Sequence, residues 1–244
     1  MNTEKTQTQT PKTQTNQTPQ IYAYTQHTQT IRVIEETCNQ KVVILQQDRT
    51  RDPVEDVLRQ LPPETLTQGA TLYVVLPVDK LIELKTKAPQ LRIRLLQLDG
   101  SVVERITGKP YDPKIEYPPE VIKQALRVVE VKGGKMRYTC LEGVVDDVVK
   151  RGIRKIAIFN DTLREGFKLA LQRIGVADIE LVKTCDNSSD CVEVNPPGYK
   201  SGYRISFPGT AGRLSPEQMA EMLLRGDARV YYAEIEAQEV SLCQ

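Results

Sequence analysis

The chain has 244 residues, 33 basic and 32 acidic side chains and a formal net charge of +1. It therefore lacks the global basic field that drives non-specific nucleic-acid binding, and any such surface has to be local. No stretch approaches the roughly 18 consecutive apolar residues of a membrane helix, the N-terminus has no apolar signal-peptide core, and a lone histidine, His27, with five cysteines lacking a C-x-x-C pair offers no metal-ligand spacing.

Residues 1–20 are dominated by Thr and Gln, with two prolines and no aliphatic side chain after Met1. Such a segment buries too little surface to offset the entropy of ordering. It reads as a disordered tail, or as a polar arm that orders on a partner.

Residues 21–90 read as an N-terminal α/β unit. Strands are expected over 21–24, 30–34 and 41–45, the last two joined by a turn at Asn39-Gln40. Asp52, Pro53 and Glu55 open a helix as cap, first residue and early acid, and Pro62-Pro63 stops it. A strand over 71–76 and a helix over 78–87 follow.

Residues 91–184 form the central unit, beginning with a strand over 91–96. A helix starts at Pro118-Pro119, with Val121, Ile122, Ala125 and Leu126 on one face. Strands over 128–131 and 136–140 are expected to pair through a tight turn at Lys132-Gly133-Gly134-Lys135, where the glycines supply positive φ. Leu141-Glu142-Gly143 leads to a short helix over 144–151. A strand over 155–159 precedes a long amphipathic helix that Thr162 and Glu165 cap, carrying Leu163, Phe167, Ala170, Leu171 and Ile174 inward and ending at Gly175. A strand over 179–182 closes the unit.

This order of helix, hairpin, Glu-Gly turn, short helix, strand and helix resembles the ParB/sulfiredoxin-like fold, which also includes archaeal free-serine kinases. In that family the turn carries Gly-x-x-Arg, whose amides and guanidinium hold nucleotide phosphates. The matching positions here are Gly143-Val144-Val145-Asp146, so a carboxylate stands where the cation belongs, and Asp cannot replace an arginine fork on phosphate. Glu142 matches the acid of the serine kinases, without their histidines. The resemblance thus implies a scaffold with a degenerate nucleotide turn at Glu142, Gly143 and Asp146, no cofactor and no catalytic residue.

Residues 185–244 read as a hairpin–helix–strand module. Strands over 191–194 and 203–207 are expected to pair across a turn-rich loop. Ser215, Pro216 and Gln218 then open a helix with a capping box, Gly226 ends it, and the last strand covers 228–235. The Leu-Ser-Pro-Glu-Gln and Leu-Leu-Arg-Gly-Asp runs resemble small modules of archaeal RNA and DNA proteins. Cys185 and Cys191 bracket a polar turn and are expected as two reduced thiols, with a disulfide as the alternative.

The fold class is α/β (or α+β) with mixed sheets. A duplication is suggested by matching 41–45, 54–59 and 72–76 to 136–140, 145–150 and 156–159. Lys132, Lys135, Arg137, Lys150, Arg151 and Arg154 are the candidate nucleic-acid contacts; neighbouring Glu130, Glu142, Asp146 and Asp147 nearly cancel them. The favoured function is a non-enzymatic nucleic-acid-associated or assembly protein, of a kind carried by mobile elements. Its partners would be DNA or RNA, and itself, but no membrane. The alternatives are a divergent phosphotransferase or nuclease, and a virion or filament subunit with an N-terminal arm. The expected location is the cytoplasm, or the virion for a viral structural protein.

Overall fold

The computed structural model describes residues 20–186, 188–209 and 213–243. The expectations for the Thr/Gln-rich tail fall on residues 1–19 and lie outside that range. The described chain is mixed α/β, with helices packed on one ten-stranded sheet.

Strand β1 (Ile21–Tyr24) is followed by helix α1 (Thr28–Cys38), where a strand over 30–34 was expected. The run is rich in β-branched residues, yet Ile31, Ile34 and Cys38 recur at helical spacing and pack on Ile21, Ala23 and Tyr73 of the sheet. Burial of that stripe overrides β propensity. Asn39, at φ 48, is the left-handed cap of the helix and not a hairpin turn. Its position lets β2 (Val42–Ile44) run parallel to β1.

Helix α2 (Pro53–Gln60) is capped as its sequence requires, the Asp52 carboxylate accepting from the Val54 and Glu55 amides. Helix α3 (Pro63–Gln68), β3 (Thr71–Val74), α4 (Val78–Lys87) and β4 (Arg92–Leu98) complete a parallel array in the order β2-β1-β3-β4. Helix α5 (Gly100–Thr107), which has no counterpart in the sequence-based reading, and α6 (Pro119–Ala125) then return the chain to the sheet.

The expected hairpin over 128–140 is a single strand, β5 (Leu126–Thr139). It pairs antiparallel with β4 on one side and with β10 (Arg229–Val240) on the other. Gly133 and Gly134 lie in mid-strand. The register shifts there: Gly133 faces Glu236 and Val131 faces Ala237, leaving Lys132 as the extra residue of a bulge. A Cβ on Gly134 would stand 2.8 Å from both Ile82 Cγ1 and the Glu234 carbonyl, so this glycine serves close approach and not chain reversal.

Helix α7 (Leu141–Lys150), β6 (Lys155–Ile158), α8 (Asp161–Arg173), β7 (Glu180–Val182), β8 (Cys191–Val194), β9 (Gly202–Ser206) and α9 (Pro216–Arg225) build the second half. The cap of α8 is Asn160, whose side chain accepts from the Leu163 amide, in place of the expected Thr162. Strands β8 and β9 are parallel, meeting at Val194 and Tyr203, and do not form the expected hairpin. Asn195, at φ 49, explains the geometry: its side chain accepts from the Ile205 amide and donates to the Ile205 carbonyl, standing in for a ladder residue.

The sheet order is β2-β1-β3-β4-β5-β10-β9-β8-β6-β7. Read outward from its centre, each half repeats the other: β1 to β5 and β6 to β10 share one order and one set of strand directions. The repeat pairs β1 with β6 and β3 with β8, a different register from the one suggested by sequence. Helices cover both faces of the first half, whereas α7, α8 and α9 share one apolar cluster on a single face of the second.

Two disulfides are present. Cys185 joins Cys191, correcting the expectation of reduced thiols, because the polar turn between them brings their Cα atoms to 5.7 Å. Cys38 joins Cys243 across 205 residues of sequence, tying α1 of the first half to the end of the chain.

Candidate functional site

Strands β5 and β10 meet at the centre of the sheet, and beside them lies an open groove of about 1160 Å³. Its floor is the second half of β5, with Lys135, Arg137 and Tyr138, together with Tyr232 and Glu234 of β10. Ile82, Glu83, Thr86 and Lys87 of α4 form one wall, and Asp147 and Arg151 of α7 contribute to the other. Alternation along β5 places Lys135 and Arg137 on one face opposite Glu234 and Tyr232. The stagger of β4, which ends its pairing at Val131, leaves this part of β5 open on that side.

Asp147 is the electrostatic centre of the groove. Its carboxylate lies 3.3 Å from the Arg137 guanidinium and 3.4 Å from that of Arg151, and it accepts a hydrogen bond from the hydroxyl of buried Tyr203. Partial burial acts to raise its pKa, but the Tyr203 hydrogen bond and the two guanidinium charges outweigh that and hold it below the usual carboxylate value. The same burial and carboxylate push the Tyr203 phenol upward. Arg151 also lies over the Tyr232 ring at 5.4 Å, and Tyr232 meets Tyr203 edge-on at 5.0 Å. At the α4 wall, Glu83 binds Lys80 at 2.9 Å and Lys87 at 2.8 Å, and these lysines lower its pKa.

Of the six candidate nucleic-acid contacts, the groove gathers Lys135, Arg137 and Arg151. Lys132 instead binds Glu130, which also holds the buried Arg94 at 3.0 Å. Lys150 and Arg154 are exposed outside the groove lining. The turn residues Glu142, Gly143 and Asp146 lie within α7 and do not line the groove; Glu142 and Asp146 are exposed. A Cβ on Gly143 would meet Thr139 Oγ1, which would have to turn away to admit it.

Sequence reasoning missed Lys87, Glu83, Tyr232 and Glu234 as groove residues and treated Asp147 only as a neutralising neighbour. Nothing local signals them, since they converge from α4, α7 and β10 through long-range pairing. Tyr138, 54% exposed, follows Arg137 on β5; Arg229 lies 5.2 Å over its ring and also binds Asp79 at 3.1 Å.

Among the described residues, no group of three or more His, Cys, Asp or Glu is placed to hold a metal ion, and no helix is long and apolar enough to cross a membrane. No protein-family model, curated protein or solved structure matches the chain.

Proposed function

We propose that the protein is a non-enzymatic assembly protein that holds an extended polypeptide in the groove beside β5. The observation carrying this reading is an open strand edge flanked by cations of which Arg137, Arg151 and Lys87 already hold carboxylates. Arg137 and Arg151 share Asp147, and Lys87 is held by Glu83; Lys135 has Glu234 only as its cross-strand neighbour in register. A backbone edge recruits main-chain hydrogen bonds without needing net charge, whereas phosphate would have to displace these carboxylates. The shifted acids of the groove, Glu83 and Asp147, are moved away from neutrality, opposite to the tuning that general acid–base work requires.

The nucleic-acid reading is favoured by the convergence of Lys135, Arg137 and Arg151 beside exposed Tyr138, an arrangement suited to a single strand. A fluorescence titration with single- and double-stranded DNA between about 50 and 200 mM salt separates the two. The assembly reading expects no salt-dependent binding. Binding that weakens steeply with salt and is abolished by Arg137→Glu would replace it with the nucleic-acid reading. The likeness of the central unit to the ParB/sulfiredoxin-like order is a further proposal, carried by α6, the Glu142-Gly143 sequence, α7, β6 and α8, and it has to accommodate one long strand in place of the hairpin.

A further inference from the structure

We propose that a second site, separate from the β5 groove, binds a small monocarboxylate with a ring-sized apolar body, of the dimensions of benzoate. The site is a cavity of about 180 Å³ outside the carboxyl ends of β1 and β4, bounded by the segment 111–117.

Its location follows from the topology. Strands β1 and β4 run parallel within the order β2-β1-β3-β4, and soon after β1 the chain turns into α1. In open parallel sheets, ligands sit outside the carboxyl ends of the strands. Leu96 and Leu98 at the end of β4, with Ile122 and Leu126, form an apolar floor. Tyr111 and Tyr117 supply an aromatic wall, their rings stacked 5.8 Å apart. That wall is pinned: the Tyr117 hydroxyl accepts from the Asp112 amide at 2.8 Å, and the Gln29 side chain donates to the Tyr117 carbonyl. An apolar cavity of about 150 Å³ admits benzene, so the volume here sets the size of the ligand body.

The opposite end is polar. At the start of α1 the Thr28 amide donates to the Gln26 carbonyl and the Ile31 amide to that of His27. The Gln29 and Thr30 amides have no acceptor among the described residues, and His27 gives no side-chain cap. Such a terminus favours an anion. The independent sign is Thr30, which is 7% exposed and lines the cavity. Its hydroxyl has no hydrogen-bond partner among the described residues. No side-chain oxygen there is sealed in the interior without one, so Thr30 Oγ1 opens on the cavity. A hydroxyl so far withdrawn from water needs an acceptor, and a ligand carboxylate supplies it.

Charge selects carboxylate over phosphate. Lys114 is the cation at the mouth, with exposed Glu116 two residues further on. One lysine offset by one glutamate suits a single negative charge, whereas a dianion calls for arginine forks or several cations.

The test titrates the full chain with benzoate, benzyl alcohol and inorganic phosphate while amide chemical shifts are recorded. Benzoate should bind saturably with a Kd of about 1 mM or tighter, with the largest shifts at Gln29 and Thr30. Benzyl alcohol, of similar size without the charge, and phosphate should each bind ~10-fold more weakly or worse. Thr30→Val, which keeps the shape of the side chain and removes its hydroxyl, should weaken benzoate ~10-fold at unchanged Tm. Absence of saturable benzoate shifts, or shifts that map elsewhere, would overturn the proposal. So would benzyl alcohol or phosphate binding as tightly as benzoate, or full affinity in folded Thr30→Val. The three-ligand comparison uses the unsubstituted chain, so it decides the matter even where Thr30→Val does not fold.

Discussion

A side chain at position 134 has no room, because Ile82 and the Glu234 carbonyl already occupy the space a Cβ would need. Gly134→Val should therefore push α4 off the central strands and lower stability by about 1–3 kcal/mol in urea unfolding. Asp147 yields a pH prediction. Its pKa is lower in the folded protein than in the unfolded chain, so its contribution is fully present above the unfolded value of about 3.9 and is lost as pH falls through the folded value. In acid titrations followed by circular dichroism, the stability gap between the native protein and Asp147→Asn should be constant near neutrality and close below about pH 4. A gap independent of pH would mean that the carboxylate charge contributes nothing. The sequence did not single out this residue, because its importance comes from Arg137 ten residues before it and Tyr203 on a distant strand.

Helix boundaries with a chemical stop or start were readable at the level of elements. Ser215 and Gln218 form the expected capping box on α9, and Gly226 adopts the left-handed conformation that ends it. Ser215→Ala should cost about 1 kcal/mol, seen as a fall in Tm of about 2–4 °C. Asp52 on α2 was equally legible. Strand pairing was not. Gly133-Gly134 carries the same local signal whether the chain reverses or runs straight past a bulge, and only the presence of β10, a hundred residues away, decides between them. The run over 30–34 misled in the opposite sense, since β-branched residues at helical spacing satisfy both patterns until the sheet beneath them is known.

For the whole molecule, the α/β class followed from alternating short apolar runs and capped helices, and a repeat was suggested but in the wrong register, because the register of the repeat about β5 and β10 resides in strand order and not in residue identity. The crosslink between Cys38 and Cys243 was likewise invisible, its partners lying 205 positions apart. In the chain-entropy account, a crosslink closing so long a loop restricts the unfolded chain by about 5 kcal/mol, against about 2 kcal/mol for the six-residue separation of Cys185 and Cys191. Denaturation of Cys38→Ser should therefore show the larger loss, and Cys191→Ser the smaller.

That long-range bond also makes most of the polypeptide a covalent hoop, from α1 through every later element to its closing sulfur. A protease that cuts once between those two points opens the hoop without releasing a fragment. The nicked species should migrate as one band on an unreduced gel and separate into two once a thiol is added; two bands before reduction would mean that the hoop is not closed.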